Sequence, residues 1–176
     1  MTASAPGSAP RRLLVLRHAK AGGSADGIDH HRELTAHGHE EAQRIGAWIA
    51  EHIQRVDQVV CSDAQRTRQT CVWVLDALGE LAPTPSLDSR LYEADAANAL
   101  SIINETEPGV GTLLVVGHMP WVQELGLRLI DAGSDQDAVM DMAQDYPTAG
   151  LQVFDVPGEW DTLDGRDATL TQFISP

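Results

Sequence analysis

Two histidines and a small set of arginines are the residues of this chain best suited to chemistry, and they recur where apolar runs stop. The run "LLVL" (13–16) passes straight into Arg17 and His18. "QVVC" (58–61) is followed by Ser62 and a polar stretch carrying Arg66 and Arg68. "TLLVVG" (112–117) runs into His118, with Pro120 just beyond it. Guanidinium forks match phosphate oxygens in pairs. A neutral imidazole nitrogen can attack phosphorus, and the ring exchanges a proton near neutral pH. Two histidines with two arginines therefore point to covalent phosphoryl transfer rather than to anion binding alone.

These residues must be carried by elements that bring them together. The first three apolar runs lack polar–apolar alternation, as parallel strands covered on both faces should. A fourth run, "LQVFDV" (151–156), reads as another strand, and "ATLTQFIS" as an edge strand. Between them lie helical patterns. Thr35 is placed to cap a helix whose Ala42, Ile45, Ile49 and Ile53 fall on one face. Further helices are expected from Gln65 to Leu78, from Ala96 to Glu105 and after Pro120. The stretch "DAGSDQDAVMDMAQDYPTAG" reads as a short helix and a loop. Alternating strands and helices predict an α/β domain, with a mostly parallel central sheet between helical layers. In such sheets ligands bind beyond the carboxyl ends of the strands. Arg17, His18, Ser62, Arg66 and His118 all fall there.

The chain has 176 residues, enough for one well-packed domain. Residues 12–176 are expected to form it, and residues 1–11 read as a disordered tail rich in Ser, Ala, Pro and Gly. The formal charge is −14, from 26 acidic and 12 basic residues, so nucleic acid and anionic membranes are not expected partners. No apolar run approaches the ~20 residues of a membrane helix, and no signal peptide is evident. Cys61 and Cys71 are the only cysteines, as expected of reduced thiols in a cytoplasmic protein. His30, His31, His37 and His39 invite a metal, but no recognised ligand spacing accompanies them. They read as surface residues, and neither metal nor cofactor is expected. Arg68 faces elsewhere than Arg66 and reads as a solvated residue. Ser62 suits either the pocket or a helix cap. The tryptophans read as core or pocket-rim residues.

Taken together, "LRHAK", "SDAQRTRQT" and "VVGHMP", in order and about 50 residues apart, resemble the three motifs of the histidine phosphatase superfamily. The stretches "DHHRELTAHGHEEA" and "RLYEADAANAL" are similar to its short, SixA-type phosphohistidine phosphatase branch. The resemblance spans roughly Leu13 to Phe154. It implies a three-layer, phosphoglycerate mutase-like fold. His18 would be the nucleophile that becomes phosphorylated, and Arg17 and Arg66 would bind phosphoryl oxygens. His118 would complete the pocket, and Glu93 would fall where many members keep a proton-donating acid. Lys20 and Ser24 are the only polar residues just after the first motif that could add phosphate contacts. The family's usual glycine after Arg-His is Ala19 here, which should restrict the loop at φ > 0.

The reading is a cytoplasmic, monomeric phosphatase that forms phosphohistidine and acts on phosphohistidine in a protein. One alternative is a phosphomonoesterase for a small metabolite, although so short a chain leaves little for a lid. The other is a domain that binds phosphate or phosphoprotein without turnover.

Overall fold

The computed structural model describes residues 10–176. One six-stranded sheet carries the chain, in the order β3-β2-β4-β1-β5-β6. Its strands are β1 (Arg11–Arg17), β2 (Gln58–Cys61), β3 (Ser86–Leu87), β4 (Thr112–Gly117), β5 (Leu151–Val156) and β6 (Thr169–Ile174). β1, β2, β3 and β4 are mutually parallel, β5 is antiparallel to β1, and β6 is antiparallel to β5. The helices are α1 (Ala36–His52), α2 (Gln65–Leu78), α3 (Ala96–Asn104), α4 (Trp121–Leu129) and α5 (Gln136–Gln144).

The lack of alternation in β1 and β4 has the expected cause. Leu13 and Val15 of β1, with Leu113 and Val115 of β4, pack beneath α3 and α4. Leu14, Leu16, Leu114 and Val116 point the other way, into the layer under α1 and α2. All eight are fully buried. Each is worth about 1.5–3 kcal/mol relative to exposure, so both strands are anchored on two sides. The result is the expected three-layer α/β/α arrangement with a mostly parallel sheet.

Thr35 caps α1 as its position implies, its side chain accepting from Gly38 N–H at 3.0 Å. β6 takes the expected edge, and α5 with the loop after it fills the stretch read as helix and loop. β3, at the opposite edge, was not foreseen. It has two exposed residues and so no apolar signature. The expected tail overlaps β1 at Arg11, whose guanidinium bonds to Gly158 O at 2.9 Å, while residues 1–9 lie outside the described residues. Cys61 and Cys71 are buried free thiols. Among the described residues no helix is long and apolar enough to cross a membrane.

Candidate active site

The carboxyl ends of β1, β2 and β4 are neighbours, because β4 lies between the other two. The ladders continue one residue past the strands: His18 N–H donates to Gly117 O, and Ser62 N–H to Val116 O, both at 3.0 Å. His18, Ser62 and His118 thereby leave the sheet side by side. The rings of His18 and His118 are 5.3 Å apart, tilted by 56°.

The partner of His18 fixes the roles of its ring nitrogens, and His118 is held by a hydroxyl. His18 Nδ1 lies 2.8 Å from the carbonyl oxygen of Ala19. A carbonyl only accepts, so Nδ1 carries the proton and Nε2 keeps its lone pair. His118 Nε2 lies 2.8 Å from Ser62 Oγ, while its Nδ1 is buried without a partner. Burial pulls the His18 pKa down to about 4, reinforced by the positive charges of Arg66, Arg17 and Arg32. Burial first, then His18 and Arg66, lowers His118 to about 3. Both rings are therefore neutral near pH 7, and His18 Nε2 keeps a free lone pair.

The arginines are fixed from behind. Arg17 Nη1 donates to Tyr146 O at 2.6 Å, and its Nε is buried and unpartnered. Arg66 lies in the first turn of α2 and is itself buried. It reaches back to Asp29, with Nη1 on the backbone oxygen at 2.9 Å and Nη2 on Oδ2 at 3.1 Å. Its Nε is also unpartnered. Three unsatisfied buried nitrogens, on Arg17, Arg66 and His118, thus belong to one cluster, and the two guanidinium Nε–H groups are donors of the kind an oxyanion satisfies. The N-terminus of α2 adds to this, because Ala64 offers no side-chain cap to its first N–H groups.

The loop after β1 is held in place by buried polar contacts. Ala19 is fully buried and donates its N–H to Thr70 Oγ1 at 3.0 Å. It is not among the residues with positive φ, so alanine serves where the family's usual glycine would stand. Lys20 N–H donates to Glu41 Oε2 at 2.8 Å, and Glu41 also accepts from Thr148 Oγ1. α1 presses so closely on this loop that a Cβ on Gly38 would stand 2.0 Å from Lys20 O.

Arg17, His18, Ser62, Arg66 and His118 are brought together. Lys20 and Ser24 are not: Lys20 is exposed, and neither side chain hydrogen-bonds to the cluster among the described residues. Glu93 is also exposed, and it is the preceding residue, Tyr92, that turns inward. Tyr92 stands edge-on to His118 with ring centroids 5.6 Å apart, and its hydroxyl donates to Asp29 Oδ2 at 2.5 Å. Arg68 is exposed, as its helical position implies. The histidines of the 30–39 stretch find separate partners: His30 with Asp63, His31 with Asp26, His37 with Glu40 and Glu41, and His39 with Trp73. Among the described residues no three His, Cys, Asp or Glu side chains are grouped as a metal ion would need.

The sequence model of the histidine phosphatase superfamily (branch 1) matches residues 13–108. The chain belongs to the histidine phosphatase superfamily. Its relatives include an uncharacterised protein of Mycobacterium leprae, 34% identical over 92% of this chain and 99% of that one. The phosphohistidine phosphatase SixA of Escherichia coli is 26% identical over 67% of this chain and 73% of its own. A structure from Nakamurella multipartitia assigned as a SixA phosphohistidine phosphatase superposes with a TM-score of 0.84, at 30% identity, covering 96% and 98% of the two chains. The chain is thus a phosphatase of SixA-like form, and the cluster is its candidate active site. In this histidine phosphatase His118 lies beyond the matched segment, and the parallel pairing of β4 with β1 returns it to His18.

Proposed function

We propose that this histidine phosphatase removes the phosphoryl group from phosphohistidine in a protein, through a phosphorylated His18. The observation that carries the covalent step is the pairing of an unprotonated His18 Nε2 with the unmet guanidinium donors of Arg17 and Arg66, beside the His118 ring. Nε2 attacks phosphorus in line, forming the N–P bond as the bond to the leaving group breaks. Charge that builds on the equatorial oxygens meets the two guanidinium groups and the His118 ring. Water then attacks phospho-His18 on phosphorus, the electron pair of the N–P bond returns to Nε2, and phosphate leaves.

Substrate class rests on two supports. A sequence relative matched over 67% of this chain and a solved structure matched over 96% bear the name phosphohistidine phosphatase. The 3₁₀ turn Asp29–His31, tied to Arg66 through Asp29, borders the cluster, and so short a border suits a side chain presented by another protein. Turnover of a phosphohistidine-bearing protein, measured beside a panel of sugar and nucleotide phosphates, tests this reading. Preference for the protein supports it, and preference for a metabolite overturns it. Acid-labile, base-stable label on His18 is expected during turnover, and activity surviving in His18→Ala would refute the covalent step.

A further inference from the structure

Phosphoryl transfer to His18 leaves an oxygen or nitrogen on the departing group that needs a proton. The second step needs a group to take one from water. The groups already placed in the cluster are poorly suited to this. His18 is the nucleophile, and His118 is buried and neutral. Asp29 accepts from Tyr92, Arg32 and Arg66, and those donors, Tyr92 foremost, hold its carboxyl at about 2, too acidic to carry a proton at neutral pH. Glu93 is exposed and makes no hydrogen bond into the cluster.

His30 is placed differently. It sits in the 3₁₀ turn beside Asp29, edge-on to Tyr92 with ring centroids 4.9 Å apart, and Tyr92 in turn packs edge-on against His118. Its Nε2 lies 3.0 Å from Asp63 Oδ1. Asp63 follows Ser62, whose hydroxyl holds His118, so the loop that orients one histidine also orients the other. The side chains of His30 and Asp63 are 32% and 33% exposed, which puts the pair at the mouth of the cluster rather than in its floor. Asp63 faces the His30 ring from the β2–α2 loop, and Tyr92 from before α3. The other charged or titratable neighbours are Asp29 and His31 on its own turn, and Arg66 on α2, which holds that turn through Asp29.

We propose that His30, oriented by Asp63, is the general acid–base of this phosphatase. This assignment rests on the covalent role of His18 given above. With Nε2 committed to Asp63, Nδ1 is the nitrogen that serves the substrate, by the logic in which a carboxylate fixes an imidazole for proton transfer. As the bond from phosphorus to the leaving group breaks, the proton on Nδ1 passes to the leaving atom. Neutral His30 then accepts a proton from water as its oxygen bonds to phosphorus, and phospho-His18 releases Nε2. The ring ends the cycle protonated, as it began.

The experiment compares kcat/KM for p-nitrophenyl phosphate and phenyl phosphate in the unaltered chain and in His30→Gln, Asp63→Asn and Glu93→Gln. Phenolate is the poorer leaving group and depends more on a proton. General acids contribute on the order of 10²–10⁴ in rate, so His30→Gln is expected to lose at least about tenfold more on phenyl phosphate than on p-nitrophenyl phosphate. Asp63→Asn should shift the ratio in the same direction by less. An equal loss on both substrates, as a purely structural role gives, overturns the assignment. So does a steeper leaving-group dependence in Glu93→Gln and not in His30→Gln. If p-nitrophenyl phosphate labels His18 in the unaltered chain and in His30→Gln alike, the covalent step stands whichever way the ratio falls. No label on His18 in either removes the premise, and the assignment with it.

Discussion

His18 and His118 face each other with ring centroids 5.3 Å apart, and the Arg66 guanidinium bears on both, with Arg17 also beside His18. Neither ring can hold a proton there at ordinary pH. Their folded pKa values, about 4 and about 3, lie below the roughly 6.5 of an unperturbed imidazole. The unfolded chain therefore binds protons on these rings, and the folded chain does not, over the interval between the two values. Stability they permit is complete above about pH 6.5 and is lost as pH falls toward about 4 for His18. The melting temperature should decline across that window, and His18→Asn should decline less steeply. The acid limb of kcat/KM, corrected for substrate ionisation, should lie near pH 4 rather than 6.5. A limb that stays at 6.5 would show that His18 titrates as an exposed imidazole.

Arg66 is the residue most exposed to a conservative-looking error. Its fork makes two bonds to Asp29 while Nε stays unpartnered, the nitrogen that the proposed mechanism gives to the phosphoryl group. A lysine supplies one point charge and cannot do both. Arg66→Lys should therefore lower kcat/KM by about 10²–10³, comparable to loss of one transition-state donor. Asp29→Asn keeps a hydrogen-bond acceptor but no charge, and it should cost less, about tenfold. Kinetics of the two variants on one substrate check the order, and a larger loss from Asp29→Asn would contradict it.

The strands and the strand-end residues could be read from the chain because doubly buried runs are continuous in sequence, and each ends in a residue with no reason to be apolar. His18, Arg66 and His118 needed only the rule that sites form beyond carboxyl ends. Asp29 and Tyr92 could not be found that way, since Asp29 lies 37 residues from Arg66 and 63 from Tyr92, and only packing joins them. That Tyr92 rather than Glu93 turns inward is hidden for the same reason, for nothing local says which of two adjacent residues does so. Lys20 and Ser24 follow His18 in sequence, but Glu41 and Thr35 hold the Lys20 backbone and turn its side chain to solvent.

Gly38 offers a test that separates fold from site. Inside a helix an alanine in place of glycine would ordinarily stabilise by up to about 1 kcal/mol, and Gly38 lies in the first turn of α1. Here its Cβ would stand 2.0 Å from Lys20 O, which is backbone and cannot rotate away. Gly38→Ala should therefore destabilise the protein, by about 1–3 kcal/mol for overpacking. It should also lower kcat, because the displaced loop carries His18 and Ala19. Denaturant unfolding and steady-state kinetics on one preparation check both. A gain in stability would mean that α1 does not bear on the loop.

Glu41 connects three segments that the mechanism needs in register. Its carboxylate accepts from Lys20 N–H at 2.8 Å and from Thr148 Oγ1 at 2.9 Å, and it is buried. Thr148 precedes Ala149, whose N–H donates to His18 O at 3.1 Å. Removing the carboxylate leaves a buried N–H and a hydroxyl without acceptors, at about 1–3 kcal/mol for the unmet groups. Glu41→Ala should show that loss in stability together with a fall in kcat, since both sides of the His18 backbone are loosened. Glu41→Gln retains one acceptor oxygen and should recover much of each. Equal damage from the two variants would instead assign the effect to charge, which points to the neighbouring Arg17 guanidinium.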